Sequence, residues 1–506
     1  MQGYPFGVKN SDKANGKSVR GGRLRDILGA LFGTPGRSAA TSAMALAFVV
    51  VGYVVLLPSG LFDDREFIAT PLEEWGIPGD PPTERPLISA WFEQSPAWQE
   101  AARESAKPGV EEAVNRLFEN GELSEEDLPK ALPLLLARAE AGIELTRVAA
   151  GYSLALLSDP SDHDSYGSMH LLQQIARAFQ RLSRIPHIGE HTGREAEYWL
   201  EHFGEFAISI LPLGEANLMS FLVVDTITCL FFESVRKWIP LQDTYDNEML
   251  ASLRVQLQTL VRESSIDRVG RALYGEAQFG RRWLAEHTGP GRAWAGPGEL
   301  GLYSYFSAGL PDFLEWLEVP VNWWLMARVQ QNMTKAVIEE RYRRSVQWLQ
   351  LPPSERFTMD TGDAPGWRMF LDPRPNAIGK EILAGSVPVI AQRVSERMLT
   401  TQTAYHMMDV ALAIAQWQAA SGDPGLPPTL DALAPDFLGS TPLDPFSGKP
   451  FGYDAARGVL WSVGADGVDT GGIRPEESLS LTLDLREGGS GTLDLWHLFQ
   501  IDPDRQ

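Results

Sequence analysis

Cysteine is almost absent from this 506-residue chain: Cys229 is the only one. One thiol cannot close an internal disulfide, so oxidation does not scaffold the fold. Cys229 sits among Leu, Ile and Phe in residues 221–232 and reads as a small core residue, its thiol kept protonated by apolar surroundings. The sequence also lacks the motifs that announce common chemistries. It contains no G-x-x-x-x-G-K-[ST], no H-E-x-x-H and no G-x-S-x-G. Positive charge is scarce, with 44 Lys and Arg against 66 Asp and Glu, a formal charge of −22. Phosphate backbones are repelled by such a surface, which excludes nucleic acid as a partner of the bulk domain. Carboxylates are too abundant for any one pair to mark general acid–base work. What remains is a non-catalytic reading.

Hydrophobic residues are not scarce. They make up 44% of the chain, with 15 Trp and 22 Phe, enough to build real cores. Residues 38–57 carry no charge over twenty positions. At about 1.5 Å per residue a helix of that length crosses the hydrocarbon of a bilayer. Lys9, Lys13, Lys17, Arg20, Arg23, Arg25 and Arg37 precede it against Asp12 and Asp26, a net of +5; Asp63, Asp64, Glu66, Glu73 and Glu74 follow it. The positive-inside rule places residues 1–37 in the cytoplasm as a basic tail. The remainder then lies outside the inner membrane, in the periplasm, as a single-pass protein's exported part. Ala-x-Ala-like sites occur only at the start of the apolar run, so the segment reads as a retained signal anchor.

Residues 58–90 read as a Pro-rich, acidic linker. Helical patterning then runs over residues 91–351, in amphipathic segments of 13–25 residues separated by Gly, Pro and Asp. Short connections between such helices predict antiparallel hairpins, in a bundle or a TPR-like stack. Residues 352–386 form a second Pro/Gly-rich linker. From residue 387 to 420 the stripe Ile390, Val394, Met398, Thr401, Tyr405, Met408, Leu412, Ala415 and Ala419 predicts one long spine helix with a single continuous apolar face. Beyond Gly422 the texture turns to strands and tight turns. Residues 449–453 and 459–463 are strand-like, and Leu479, Leu481, Leu483 and Leu485 alternate with polar residues as one arm of a hairpin whose other arm is 492–499. The fold class expected is mostly α, ending in a small antiparallel sheet (α+β) over residues 387–506.

The informative stretch is Pro427-x-x-Leu430-x-x-Leu433, then Asp444-Pro445-Phe446-Ser447-Gly448-Lys449-Pro450, then Ser462-Val463-Gly464-Ala465-Asp466-Gly467-Val468-Asp469-Thr470-Gly471-Gly472. Asp444-Pro445 opens a turn and Gly448 relieves it. Carboxylates interleaved with glycines make a hard-cation loop possible in principle, since Ca²⁺ takes six to eight oxygens. Asp466 and Asp469 are the candidate ligands; a plain Asp-Gly turn is the alternative. Together with the long helix before them, these motifs resemble the C-terminal half of the major pseudopilin of type II secretion over residues 387–472. The resemblance implies a small sheet packed on a helical spine and an Asp-rich loop that binds calcium, with Asp466 its best-matched residue. With its anchor and helical middle, the whole chain also resembles a set of bacterial membrane-anchored envelope proteins.

These readings predict a membrane-anchored envelope scaffold or interaction protein, secretion-associated, with a Ca²⁺ loop. The alternative is a periplasmic metal-dependent hydrolase. Five of the eight histidines, His163, His170, His187, His191 and His202, fall within forty residues, and His187, His191 and Glu195 are spaced by four. The run Glu339-Glu340-Arg341-Tyr342-Arg343-Arg344 is expected to be a solvated helix face.

Overall fold

The computed structural model describes residues 67–78, 85–119, 122–154, 164–239, 246–263, 266–287, 331–352, 355, 387–422, 425–465, 467–473 and 481–484. The chain divides into two units, Met1–Asp63 and Asp64–Gln506, and every described residue belongs to the second. The basic tail, the apolar segment 38–57, residues 356–386 of the second linker, Trp323-Trp324, His163, Asp466 and the arm 492–499 lie outside the described residues.

Helices dominate. In chain order they are α1 (Ser89–Gln94), α2 (Pro96–Ser105), α3 (Val110–Arg116), α4 (Leu128–Thr146), α5 (Asp164–Leu182), α6 (Ile188–Thr192), α7 (Ala196–Ser209), α8 (Leu218–Trp238), α9 (Asn247–Glu263), α10 (Ile266–His287), α11 (Gln331–Gln350) and α12 (Val387–Ser421). A two-residue hairpin pair, β1 (Phe118–Glu119) and β2 (Glu122–Leu123), separates α3 from α4. The capping residues are legible. The Ser95 hydroxyl accepts from Trp98 N at 3.2 Å, with Pro96 opening α2 where its missing N–H costs nothing. Asn217 accepts from Ser220 N at 2.8 Å and starts α8.

Two hydrophobic cores result. The larger draws on α1–α9 and on the C-terminal half of α12, with Trp199, Phe203, Phe206, Phe231 and Tyr405 fully buried. The smaller gathers Leu72, Trp75 and Ile77 with α10, α11 and Val394, Met398 and Leu399 of α12. Helix α12 therefore runs from one core into the other, over about 50 Å. Its burial is wider than the single face expected. Val394, Met398, Thr401, Tyr405, Met408, Leu412 and Ala415 are buried as the stripe requires, but so are Ala404, Met407, Val410, Ala413 and Ile414. The reason is packing on several sides, against α8, α9 and α11. Ala419, at the end of the stripe, is exposed.

Among the described residues one helix, α8, is long and apolar enough to cross a membrane. It lies mid-chain, is mostly buried, and packs against α5, α7, α10 and α12. Cys229 sits on it, buried, and burial pushes its thiol up to about 12, as an inert core thiol requires.

The charge run on α11 departs from the expected solvated face. Glu340 does pair locally with Arg343 and with Arg344, the latter at 2.7 Å. Glu339 and Tyr342, however, are buried; Glu339 accepts from Arg281 of α10 and from Thr70 N at 2.9 Å. Packing of α10 against α11 turns these two residues of the run inward.

At the C-terminus β3 (Gly452–Asp454), β4 (Val459–Ser462) and β5 (Leu481–Asp484) form an antiparallel sheet in that order. Leu481 and Leu483, expected to face the arm 492–499, pair here with β4, Leu483 standing opposite Leu460. Leu460 is fully buried, and β4 packs on α12.

Candidate functional site

The Asp444 turn anchors the C-terminal loop. Asp444 N donates to Lys449 O at 2.7 Å, and Gly448 N donates to Asp444 O at 2.8 Å, with Gly448 at φ 67°. The Asp444 carboxylate is 1% exposed and accepts from Phe446 N at 3.0 Å, Ser447 Oγ at 3.2 Å, Ser462 Oγ at 2.8 Å and Val463 N at 3.1 Å. Four donors on two oxygens satisfy a buried carboxylate. Asp444 thus ties the turn to the end of β4 and is a structural acid.

The loop beyond β4 is organised on Trp461. Gly452 stands opposite it in the sheet, and a Cβ there would lie 2.0 Å from the indole. A Cβ on Gly472 would lie 2.8 Å from the same ring. The indole occupies the space that two glycines leave, a use of glycine for close approach. Trp461 Nε1 donates to Asp469 Oδ1 at 2.9 Å, and Gly471 N donates to the same oxygen at 2.9 Å. The Gly471 N–H first, and the indole second, hold the Asp469 carboxyl below the usual carboxylate range. Arg457 lies 5.6 Å above the Trp461 ring, donates to Gly471 O at 2.6 Å and pairs with Asp454. Gly464, Gly467, Gly471 and Gly472 all take positive φ, which curls the segment back on itself.

Of the two predicted cation ligands, Asp469 is therefore placed and ionised, with Oδ2 outside both hydrogen bonds. Asp466, as stated, is not among the described residues. Within the described residues no group of three or more His, Cys, Asp or Glu could hold a metal ion.

The described histidines of this cluster lie on three different helices or their caps. His187 has φ 53° and precedes the short helix α6, which ends at Gly193. Glu195 lies outside that helix, before α7, and its carboxyl fills the space over Gly189. His170 is exposed and contacts Gln174 at 2.8 Å; His202 packs against Tyr198 with ring centres 4.2 Å apart and lies 3.4 Å from Glu205. The spacing of four that suggested a metal face is broken at the left-handed His187, which caps α6, and at Gly193, which ends it before Glu195.

A set of buried ionic contacts was invisible in the sequence. Arg397 on α12 pairs with Asp225 of α8 at 2.5 Å and donates to Thr226 Oγ1 at 2.9 Å. Arg254 on α9 donates to Asp409 and to Gln416 on α12, both at 2.7 Å. Partners some 150 residues apart leave no periodic trace. These contacts fix the rotation and height of α12 against the bundle, and so the platform for the sheet and its loop.

The chain matches no family model, no curated protein and no solved structure.

Proposed function

We propose that this protein is a non-catalytic scaffold or interaction protein of the bacterial envelope, associated with secretion. Residues 38–57 hold it in the inner membrane with the N-terminus in the cytoplasm. The helical body carries the C-terminal sheet outside the membrane, in a pseudopilin-like arrangement on α12. The loop over residues 464–472 binds Ca²⁺ through Asp466 and Asp469 and makes that surface responsive to the cation. The observation that carries the reading is Asp469: its Oδ1 is clamped by Trp461 and Gly471 while its Oδ2 takes no part in the clamp. A rigid, ionised carboxylate on a glycine-curled loop is the kind of ligand a hard cation needs.

Calorimetry on the full chain in an uncharged detergent tests this. Wild type is expected to bind Ca²⁺ saturably, with a Kd on the order of 10⁻⁴–10⁻³ M as for extracellular modules. Asp466→Asn and Asp469→Asn each abolish the heat; Asn at 469 keeps an acceptor for Trp461 and removes only the charge. Absence of saturable binding, or binding that survives both substitutions, would contradict the assignment.

A further inference from the structure

In so acidic a chain, one face gathers positive charge that no ion pair among the described residues answers. Arg177 and Arg181 are one turn apart on α5, and Arg184 follows in the turn that continues it, its N–H donating to Arg181 O at 3.1 Å. The opposite face of α5 is committed to the core through Leu172, Ile175, Phe179 and Leu182. Arg138 of α4, the helix packed against α5, is 5% exposed. Among the described residues Arg177, Arg181 and Arg184 make no ion pair and no side-chain hydrogen bond; Arg184 lies 4.8 Å over the Phe118 ring.

The neighbouring acids are already occupied. Glu111 accepts from Ser105 Oγ and from Arg138 Nη2, while Arg138 Nε is buried and finds no acceptor among the described residues. Glu233 pairs with Arg236 at 2.7 Å and with Lys237 at 2.9 Å. Like charges one turn apart on a helix oppose folding, and a buried unpaired donor costs more still. Burial first, then Arg177 and Arg138, pull the Arg181 guanidinium down to about 10. A bound anion would offset that cost.

We propose that Arg138, Arg177, Arg181 and Arg184 form a binding site for a phosphate-type oxyanion on the α4–α5 face. Guanidinium groups are planar forks that match phosphate oxygens bidentately, and several on one face suit a ligand with two or more anionic oxygens. A free phosphate compound and an anionic phospholipid headgroup share that chemistry.

Two probes separate the sources, both applied to the full chain in uncharged detergent at low ionic strength. One is pyrophosphate; the other is dihexanoyl phosphatidylglycerol below its micelle concentration, with the phosphatidylcholine analogue as control. At least one probe is expected to bind saturably, and Arg177→Gln and Arg181→Gln each to weaken it by about tenfold, the loss of one charge-assisted contact. Arg262→Gln on α9, a 74% exposed side chain, leaves binding unchanged. In chloride buffer Arg181→Gln does not lower the thermal midpoint, because it removes an unanswered cation. Binding of the lipid alone identifies a headgroup site; binding of pyrophosphate alone identifies a free ligand. Failure of both probes overturns the proposal, and so does a lowered midpoint for Arg181→Gln with unchanged binding, which would make these arginines packing elements.

Discussion

Arg397→Met is expected to lower the unfolding free energy by about 3–5 kcal/mol, the usual cost of stranding a buried charge. The charge stranded is Asp225, whose side chain is 8% exposed in the middle of α8. Its partner reaches it from α12, 172 residues away, and also donates to Thr226. Asp225→Leu alone is expected to cost a similar amount by leaving the Arg397 guanidinium, 14% exposed, without its carboxylate. The double variant Asp225→Leu with Arg397→Met recovers most of the loss, because a well-packed apolar pair often matches a buried ion pair. Urea unfolding of the full chain, run as a double-mutant cycle, measures the coupling. Additive losses would mean that the two residues do not act as a pair and that α12 is held in register by apolar packing alone.

Gly275→Ala is the second large effect, with an expected loss of about 2–3 kcal/mol from overpacking. A Cβ at that position would lie 2.0 Å from Ala216 O and 2.8 Å from Ala216 C, atoms of the backbone that cannot swing aside. The close approach brings α10 to the start of α8, where the neighbouring Glu276 carboxyl accepts from Leu218 N at 3.1 Å. Burial raises the Glu276 carboxyl above the usual range. Gly280→Ala, on the same helix, is the matched contrast. Its Cβ would meet only Ile338 at 3.7 Å, ordinary contact, so the better helix propensity of alanine should raise stability by up to about 1 kcal/mol. Thermal midpoints moving in opposite directions for the two variants are the expected result. A shared direction would show that helix propensity, not the approach to Ala216, governs these positions.

Much of the helical order was legible because apolar periodicity and capping act locally. The stripe from Ile390 to Ala419 announced α12, expected over 387–420 and observed over Val387–Ser421. Helix α10 was not singled out. In the fold its Gly270 and Gly275 admit Ile77 and the Ala216 carbonyl, approaches that leave no local pattern. In the loop, the aspartates and glycines were visible, yet the side chain that organises them, Trp461, carried no loop signal. Its role follows from the register that sets it opposite Gly452. The same limit hid the Arg397–Asp225 pair and the inward turn of Glu339 and Tyr342, since neither is a local property of the chain.

The direction of the anchor is the claim on which the scaffold reading depends most, and it can be measured in one experiment. Alkaline phosphatase, active only outside the inner membrane, and green fluorescent protein, fluorescent only inside it, are each fused after residue 506 in a bacterial host. An active phosphatase and a dark fluorescent fusion are predicted, with phosphatase activity lost when residues 38–57 are deleted. A fluorescent fusion with an inactive phosphatase would place the helical body and its loop in the cytoplasm and contradict the account.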